Sequence, residues 1–232
     1  MNYEIIGDNL QMVRIGLKPG EGVYAEAGSM VNMSSSVVME SQLKGGIISG
    51  LKRAVSGESI FLTRFAAGSE PAFVSFAGSM PGKLVPVPVS PGDVFIAQKD
   101  SFLACEEGVE LDIAFTEKIR AGLFGGQGFV LQRLSGQGMA FLQCCGDIIE
   151  MELKRGEVVK VQTGLVVGFD ATVRFDIAVA GGITTALFGG EGLFVTTLTG
   201  PGTVVLQSMD IAKLVACIIP FLPKPEITVK PA

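Results

Sequence analysis

Three short stretches of the chain gather the residue types that chemistry needs. The first, GGIISGLKRAVSGES (Gly45–Ser59), puts glycines beside Lys52, Arg53 and several hydroxyl side chains. A phosphate loop of the form G-x-x-x-x-G-K-[ST] cradles phosphates on backbone N–H groups, with lysine on their charge and the hydroxyl on Mg²⁺. Gly45 and Gly50 have that spacing, but Leu51 displaces the lysine to position 52, Arg53 follows it, and the hydroxyl is missing. The second stretch, CEEGVELD (Cys105–Asp112), collects Glu106, Glu107, Glu110 and Asp112. Clustered carboxylates can hold Ca²⁺ or Mg²⁺, and paired carboxylates can hydrolyse glycosides. EF-hand spacing is missing, however, and a solvated turn entering a strand accounts for the same residues. The third feature is a pair of arginines, Arg64 and Arg133, at matching places in two similar blocks. Buried arginines need acidic partners; Glu58, Glu191 or the acids Glu21, Asp93 and Glu157 are the candidates. The alternative is an anion-binding site built from Arg64 and Arg133.

The frame that must position these residues is repetitive. VSGESIFLTRF (Val55–Phe65), FGGQGFVLQRL (Phe124–Leu134) and FGGEGLFVTTL (Phe188–Leu198) align without gaps, so that Arg64, Arg133 and Thr197 coincide. An apolar-x-x-Gly-acid motif also recurs: Leu17…Gly20-Glu21, Val89…Gly92-Asp93 and Leu153…Gly156-Glu157. Two markers in the same order at nearly the same period read as three internal repeats. Short alternating runs such as GFVLQRL and VRFDIAV read as strands, and Pro86 and Pro88 in KLVPVPV suit a sheet edge. The expected fold is all-β: a pseudo-threefold repeat of β-sandwich or double-stranded β-helix-like units with short connector helices and a C-terminal helix. The expected organisation is one body over 1–210, in repeats of about 1–80, 81–146 and 147–210. A helix and extended tail follow over 211–232, with Asp210 as N-cap and Pro220 as stop.

Within that frame Gly45–Ser59 is a connector ahead of the same strand as Lys118–Gly128 and Gly181–Gly192. Ile47, Ile48, Leu51, Ala54 and Val55 form one apolar stripe at helical spacing, with Lys52 and Arg53 off it. A structural connector is the favoured reading. The sharper one is an interaction surface of Ile47, Ile48, Leu51, Lys52 and Arg53 that touches a membrane or a protein partner.

Composition narrows the function classes. The chain has 232 residues, no histidine and no tryptophan. Without histidine there is no Ser-His-Asp or Cys-His unit, no imidazole metal ligand and no imidazole proton shuttle. No catalytic residue, cofactor or metal site is assigned, and the protein is not expected to be an enzyme. The net charge is −5 and no basic run exists, which speaks against nucleic acid. Apolar residues make up 48% and the mean hydropathy is +0.48, yet no apolar run is long enough to span a bilayer. Strands buried on both faces, or a large subunit interface, reconcile those facts. The acidic start MNYEIIGDNL does not read as a signal peptide, and four cysteines without a C-x-x-C read as buried reduced thiols. A cytoplasmic location is expected.

YAEAGSMVNMS (Tyr24–Ser34), GGIISGLKRAVSGESIFLTRF (Gly45–Phe65) and FGGEGLFVTTLTGPGTVVLQSM (Phe188–Met209) resemble the AIM-type family, whose namesake is a fungal protein tied to altered inheritance of mitochondria. The resemblance runs from about Tyr3 to Met209. It implies a fold like the tryptophan RNA-binding attenuator superfamily, with the unit used three times, and homo-oligomers with trimers favoured. It carries no catalytic residues onto this chain. The function expected is that of a non-enzymatic scaffold or assembly protein, homo-oligomeric, docking a protein partner or a membrane surface. A small-anion or metabolite-binding protein, or a weak enzyme, using Arg64 and Arg133 near the axis is the alternative.

Overall fold

The computed structural model describes residues 1–41, 62–117, 129–179 and 194–223. Within them the chain is all-β apart from one short α-helix and a few 3-10 turns. Strand β1 (Asn2–Ile6) comes first. Six strands follow: β2 (Met12–Leu17), β3 (Gly22–Glu26), β4 (Met30–Met33), β5 (Val37–Ser41), β6 (Leu62–Ala67) and β7 (Ala72–Ala77). The middle segment contributes β8 (Leu84–Val89), β9 (Phe95–Gln98), β10 (Phe102–Glu106), β11 (Val109–Glu117), β12 (Phe129–Gly136) and β13 (Gly138–Gln143). The last contributes β14 (Ile148–Leu153), β15 (Val158–Gln162), β16 (Val166–Asp170), β17 (Arg174–Val179), β18 (Phe194–Thr199) and β19 (Gly202–Gln207), followed by helix α1 (Ile211–Ile218).

Pairing is antiparallel and follows one scheme in each segment. The first strand pairs the sixth and the sixth pairs the third; the second pairs the fifth and the fifth pairs the fourth. The third strand carries a bulge at the same place each time, between Met30 and Asn32, Phe102 and Ala104, and Val166 and Gly168. Neighbouring segments join where the second strand of one pairs the third strand of the next: β3 with β10 and β9 with β16. The result is a four-stranded sheet β1-β2-β7-β4, two six-stranded sheets β5-β6-β3-β10-β13-β8 and β11-β12-β9-β16-β19-β14, and a three-stranded sheet β15-β18-β17. The Pro-containing β8 is an edge strand, as its missing N–H donors require.

Alternation sorts each strand's side chains onto two faces, and in the six-stranded sheets each face contributes to a buried core. Phe65, Val23, Ala104 and Phe141 belong to one core, Leu62, Tyr24, Cys105 and Ala140 to the next. In the second six-stranded sheet Leu134 and Ala97 face the middle core, while Phe129, Leu131 and Phe169 face the third. Central strands that must be apolar on both sides explain the high hydropathy without a membrane span. Among the described residues no helix is long and apolar enough to cross a membrane.

The Gly-acid motif is a turn that closes on itself. Gly20, Gly92 and Gly156 have φ of +80°, +93° and +79°, a region that side chains disfavour. The next acid locks the turn: Glu21 Oε2 accepts from Lys18 N at 2.8 Å and Glu157 Oε2 from Lys154 N at 2.9 Å. A second device fastens each segment to the one before it. Gln143 Oε1 accepts from Ser79 N at 2.8 Å while its Nε2 donates to Asp100 O at 2.9 Å. Gln207 repeats this with Cys145 N and Gly164 O at 2.8 and 2.9 Å. Ala77 stands at that position in the first segment.

Several expectations need correction. Strand pairing does not close the three segments around an axis: among the described residues β4 and β15 pair only within their own segments and are left as sheet edges. Cys105, Cys144 and Cys145 are buried free thiols, but Cys217 is exposed on α1. The connectors, with Ile47, Ile48, Leu51, Lys52 and Arg53, lie outside the described residues.

Candidate functional site

Arg64 sits on β6, on the face of the first six-stranded sheet turned toward the middle core, directly beside Tyr24 on β3 and Glu40 on β5. Its Nε donates to Glu107 in the turn after β10, and its Nη1 lies 3.3 Å from Glu40 Oε2. Gly22 makes room for this tie, because a Cβ there would meet the Glu107 carboxylate at 2.6 Å. The hydrogen bond to Glu107 favours the protonated guanidinium and raises its pKa above the ordinary value. Burial, with the Glu107 charge, pushes the Tyr24 phenol up, and Arg64 opposes the shift. Arg64 therefore links β6 of the first segment to the β10–β11 turn of the second, and two carboxylates already engage its donors.

Arg133 occupies the matching place on β12, opposite Ile96 on β9 and Asp112 on β11. It is exposed, and among the described residues no carboxylate lies within ion-pair distance of it. The reason is local. Glu106 and Asp170 match, since each accepts the N–H at the start of its segment's sixth strand: Met139 N at 2.7 Å and Thr203 N at 2.7 Å. The residue after Glu106 is Glu107, but the residue after Asp170 is Ala171. Arg133 thus lacks the acid that holds Arg64. The two arginines lie in different sheets, and the third matching residue, Thr197, lies in the sheet β15-β18-β17.

The other candidates also resolve into fold. Glu21 and Glu157 close their own turns, so they are not the arginines' partners. Glu58 and Glu191 lie outside the described residues. Glu106 is tied to backbone and Glu107 to Arg64, so the CEEGVELD acids diverge. Among the described residues no group of three or more Cys, Asp or Glu is placed to hold a metal ion. Sequence reasoning missed Glu107 and Glu40 as the acids for Arg64. Glu40 could have been found by pairing VVMES against LTRF in register.

The surface with the clearest interaction chemistry is α1. Asp210 is buried and caps it, Oδ1 accepting from Lys213 N at 2.7 Å. Asp210 Oδ2 also accepts from Nε2 of Gln162, the last residue of β15, at 2.9 Å. The helix ends at Ile218 and a 3-10 turn containing Pro220 follows. Ile211, Val215, Ile218, Ile219 and Leu222 are exposed, and Phe221 is 87% exposed. Sequence spacing placed the helix and its cap; that its apolar residues are exposed among the described residues is a property of the fold.

The model of the family described as mitochondrial biogenesis AIM24 matches residues 3–209. The chain belongs to this family. An uncharacterised protein of Streptococcus pyogenes serotype M6 is 26% identical over 220 residues, covering 91% of this chain and 87% of that protein. The crystal structure of a protein from Streptococcus pyogenes superposes with a TM-score of 0.79 at 24% identity, covering 95% of this chain and 99% of that one. That likeness speaks to fold alone. The family match ends at Met209, so α1 and its exposed apolar face fall beyond it.

Proposed function

We propose that this protein is a non-enzymatic, cytoplasmic assembly or scaffold protein that forms a homo-oligomer, with a trimer as the expected size, and presents a docking surface to a protein partner or a membrane. An attenuator-like sandwich unit used three times is the frame we assign to it. The observation that carries this reading is α1, whose cap is locked to β15 while its apolar residues face solvent. Exposed apolar patches of this kind commonly mark interaction surfaces. Light scattering on the full chain tests the reading. The expected mass is a multiple of 24.3 kDa that falls in an Ile218→Ser/Phe221→Ser variant. A parent chain that stays monomeric at every concentration overturns homo-oligomerisation. Flotation with phosphatidylcholine and anionic vesicles then separates a membrane surface from a protein partner.

A small-anion site using Arg64 and Arg133 is the weaker reading, because Glu107 and Glu40 engage Arg64 and the two arginines belong to different sheets. A thermal shift with phosphates, nucleotides or carboxylates that disappears in Arg133→Ala would revive it.

A further inference from the structure

Among the described residues are two complete copies of one junction and the two unpaired halves of a third. In the first junction Ala104, Cys105 and Glu106 of β10 lie opposite Ala25, Tyr24 and Val23 of β3. In the second Gly168, Phe169 and Asp170 of β16 lie opposite Ala97, Ile96 and Phe95 of β9. The bulge and the bond from the sixth strand fix the matching residues elsewhere. Ser34 belongs with Glu106 and Asp170, because its hydroxyl accepts from Phe73 N at 3.0 Å as they accept from Met139 N and Thr203 N. The Gly-acid turns place Val159, Lys160 and Val161 of β15 with Val23, Tyr24 and Ala25. So among the described strands β4 is a third strand that pairs with no second strand, and β15 is a second strand that pairs with no third strand.

We propose that copies of this chain join head to tail, β15 of one copy pairing antiparallel with β4 of the next in the register of the internal junctions: Val161 opposite Asn32, Lys160 opposite Met33 and Val159 opposite Ser34. The inference rests on the homo-oligomer reading and specifies its interface. Unpaired edges are templates for pairing with another chain, and these two are complementary halves of an interface the molecule already builds twice. β4 keeps the bulge of β10 and β16 although no described strand pairs across that side. Val31 is 50% exposed, whereas its counterparts Leu103 and Val167 are fully buried in the core of the segment before them. At the other end Val158 is 53% exposed on β15, and Gln162 ties α1 to the same strand, so the exposed apolar helix flanks this edge. Space also permits the contact. A Cβ at Gly168 would strike Phe95 at 2.4 Å, so that junction demands glycine. Val159 stands with Val23, and in the junction that carries Val23 in place of Phe95 the β10 strand carries Ala104, opposite Ala25, at the place of Gly168. Lys160 replaces Tyr24 and Ile96, and a lysine in an edge strand weakens pairing. The intermolecular junction is therefore reversible where the internal ones are permanent. A head-to-tail contact closes a ring if its rotation allows and otherwise builds a filament.

Two chains in a Cys217→Ser background test this, one carrying Met33→Cys and the other Lys160→Cys. Cysteines directly opposite on paired strands fall within disulfide reach. Mild oxidation is expected to give a disulfide-linked dimer when the two chains are mixed and none with either alone. Light scattering on the parent is run alongside. A crosslink in either chain alone, or none in the mixture while the parent mass remains a multiple of 24.3 kDa, overturns the edge pairing and leaves the homo-oligomer standing. A chain carrying both cysteines that closes only on itself also overturns it. A parent mass of one chain at every concentration overturns both. Circular dichroism checks each variant's fold, and Asn32→Cys with Val161→Cys supplies a second pair should the first fail that check.

Discussion

Phe141, Leu103 and Ala104 face the core of the segment before their own, and all three are fully shielded from solvent. Ser75, Val31 and Asn32 hold the same places in the first of the described segments. Two of the three are polar, and Val31 is half exposed. The far end of the chain differs from the middle in the same sense: Lys160 replaces Tyr24 and Ile96, and Thr197 replaces Arg64 and Arg133. Identical pairing schemes thus carry different side chains according to whether another segment's core packs on them, and Ser75 is buried without joining such a core. Terminal units of repeat arrays become polar on the outer face for the same reason. The comparison teaches that in this chain a residue's worth depends on its junction and not on its place in the repeat.

The sharpest way to break that comparison is to truncate matching residues at the two kinds of site. Phe141 is fully buried and stacks edge-on against Tyr3 with ring centroids 5.0 Å apart. Phe141→Ala is expected to cost about 3–5 kcal/mol through lost transfer energy and the cavity left behind. Ser75→Ala is expected to be neutral or stabilising, because the Ser75 hydroxyl is buried without a partner. Urea unfolding of both variants decides the matter, and equal costs would sink the comparison.

A smaller effect of opposite sign is expected at Gln132. It is fully buried, and neither amide atom has a partner. Thr196, at the same place in the last segment, donates to Thr163 Oγ1 at 2.9 Å. Removing an unsatisfied buried amide while keeping its shape gains about 1–2 kcal/mol. Gln132→Met should therefore raise the unfolding midpoint, whereas Thr196→Val should lower it by stranding Thr163. Destabilisation by Gln132→Met would show that the amide has a role that its neighbours do not reveal.

The arginine pair sharpens the comparison at lower amplitude. Arg64 ties two segments together through partly exposed ion pairs, so Arg64→Ala is expected to cost about 1 kcal/mol. Arg133 has no such tie, and Arg133→Ala is expected to stay within about 0.5 kcal/mol of the parent. Thermal unfolding of the two variants side by side tests the difference.

Much of the fold was legible because strands announce themselves locally. Val173, Phe175 and Ile177 alternate with Arg174 and Asp176, and the structure sends the first set into the third core and leaves the second exposed. The Gly-acid motif was legible as a marker, though its purpose, a turn closed by its own acid, shows only when Glu21 and Glu157 are seen bonded to Lys18 and Lys154. The partners of Arg64 were not legible. Glu107 reaches it across a junction between segments, and nothing in the spacing says which turn lies beside which strand. The open ends were hidden for the same reason: three similar blocks suggest a closed ring, but pairing is decided by geometry between units, which repetition within a sequence does not encode.

The smallest and most specific expectation concerns Glu26, where the first segment departs from the other two. Gln98 and Gln162 hold that position, their Nε2 atoms donating to Asp100 Oδ2 at 3.0 Å and Asp210 Oδ2 at 2.9 Å. Partial burial pushes the Glu26 carboxyl above its ordinary 4.5, the nearby Asp100 charge adds to the rise, and Lys99 opposes it. A raised folded value means that the folded state prefers the proton. That preference contributes stability fully below the ordinary value and loses it as pH rises through the raised one. Near neutral pH the parent therefore carries a partly buried charge facing Asp100, and Glu26→Gln removes it. The variant should match the parent in acid, gain on it as pH rises through the window just above 4.5, and hold a constant small advantage toward neutrality. Unfolding midpoints measured across that range test the sign. A difference that is flat with pH would show that Glu26 titrates alike in the folded and unfolded chains, and that its contrast with Gln98 and Gln162 has no electrostatic content.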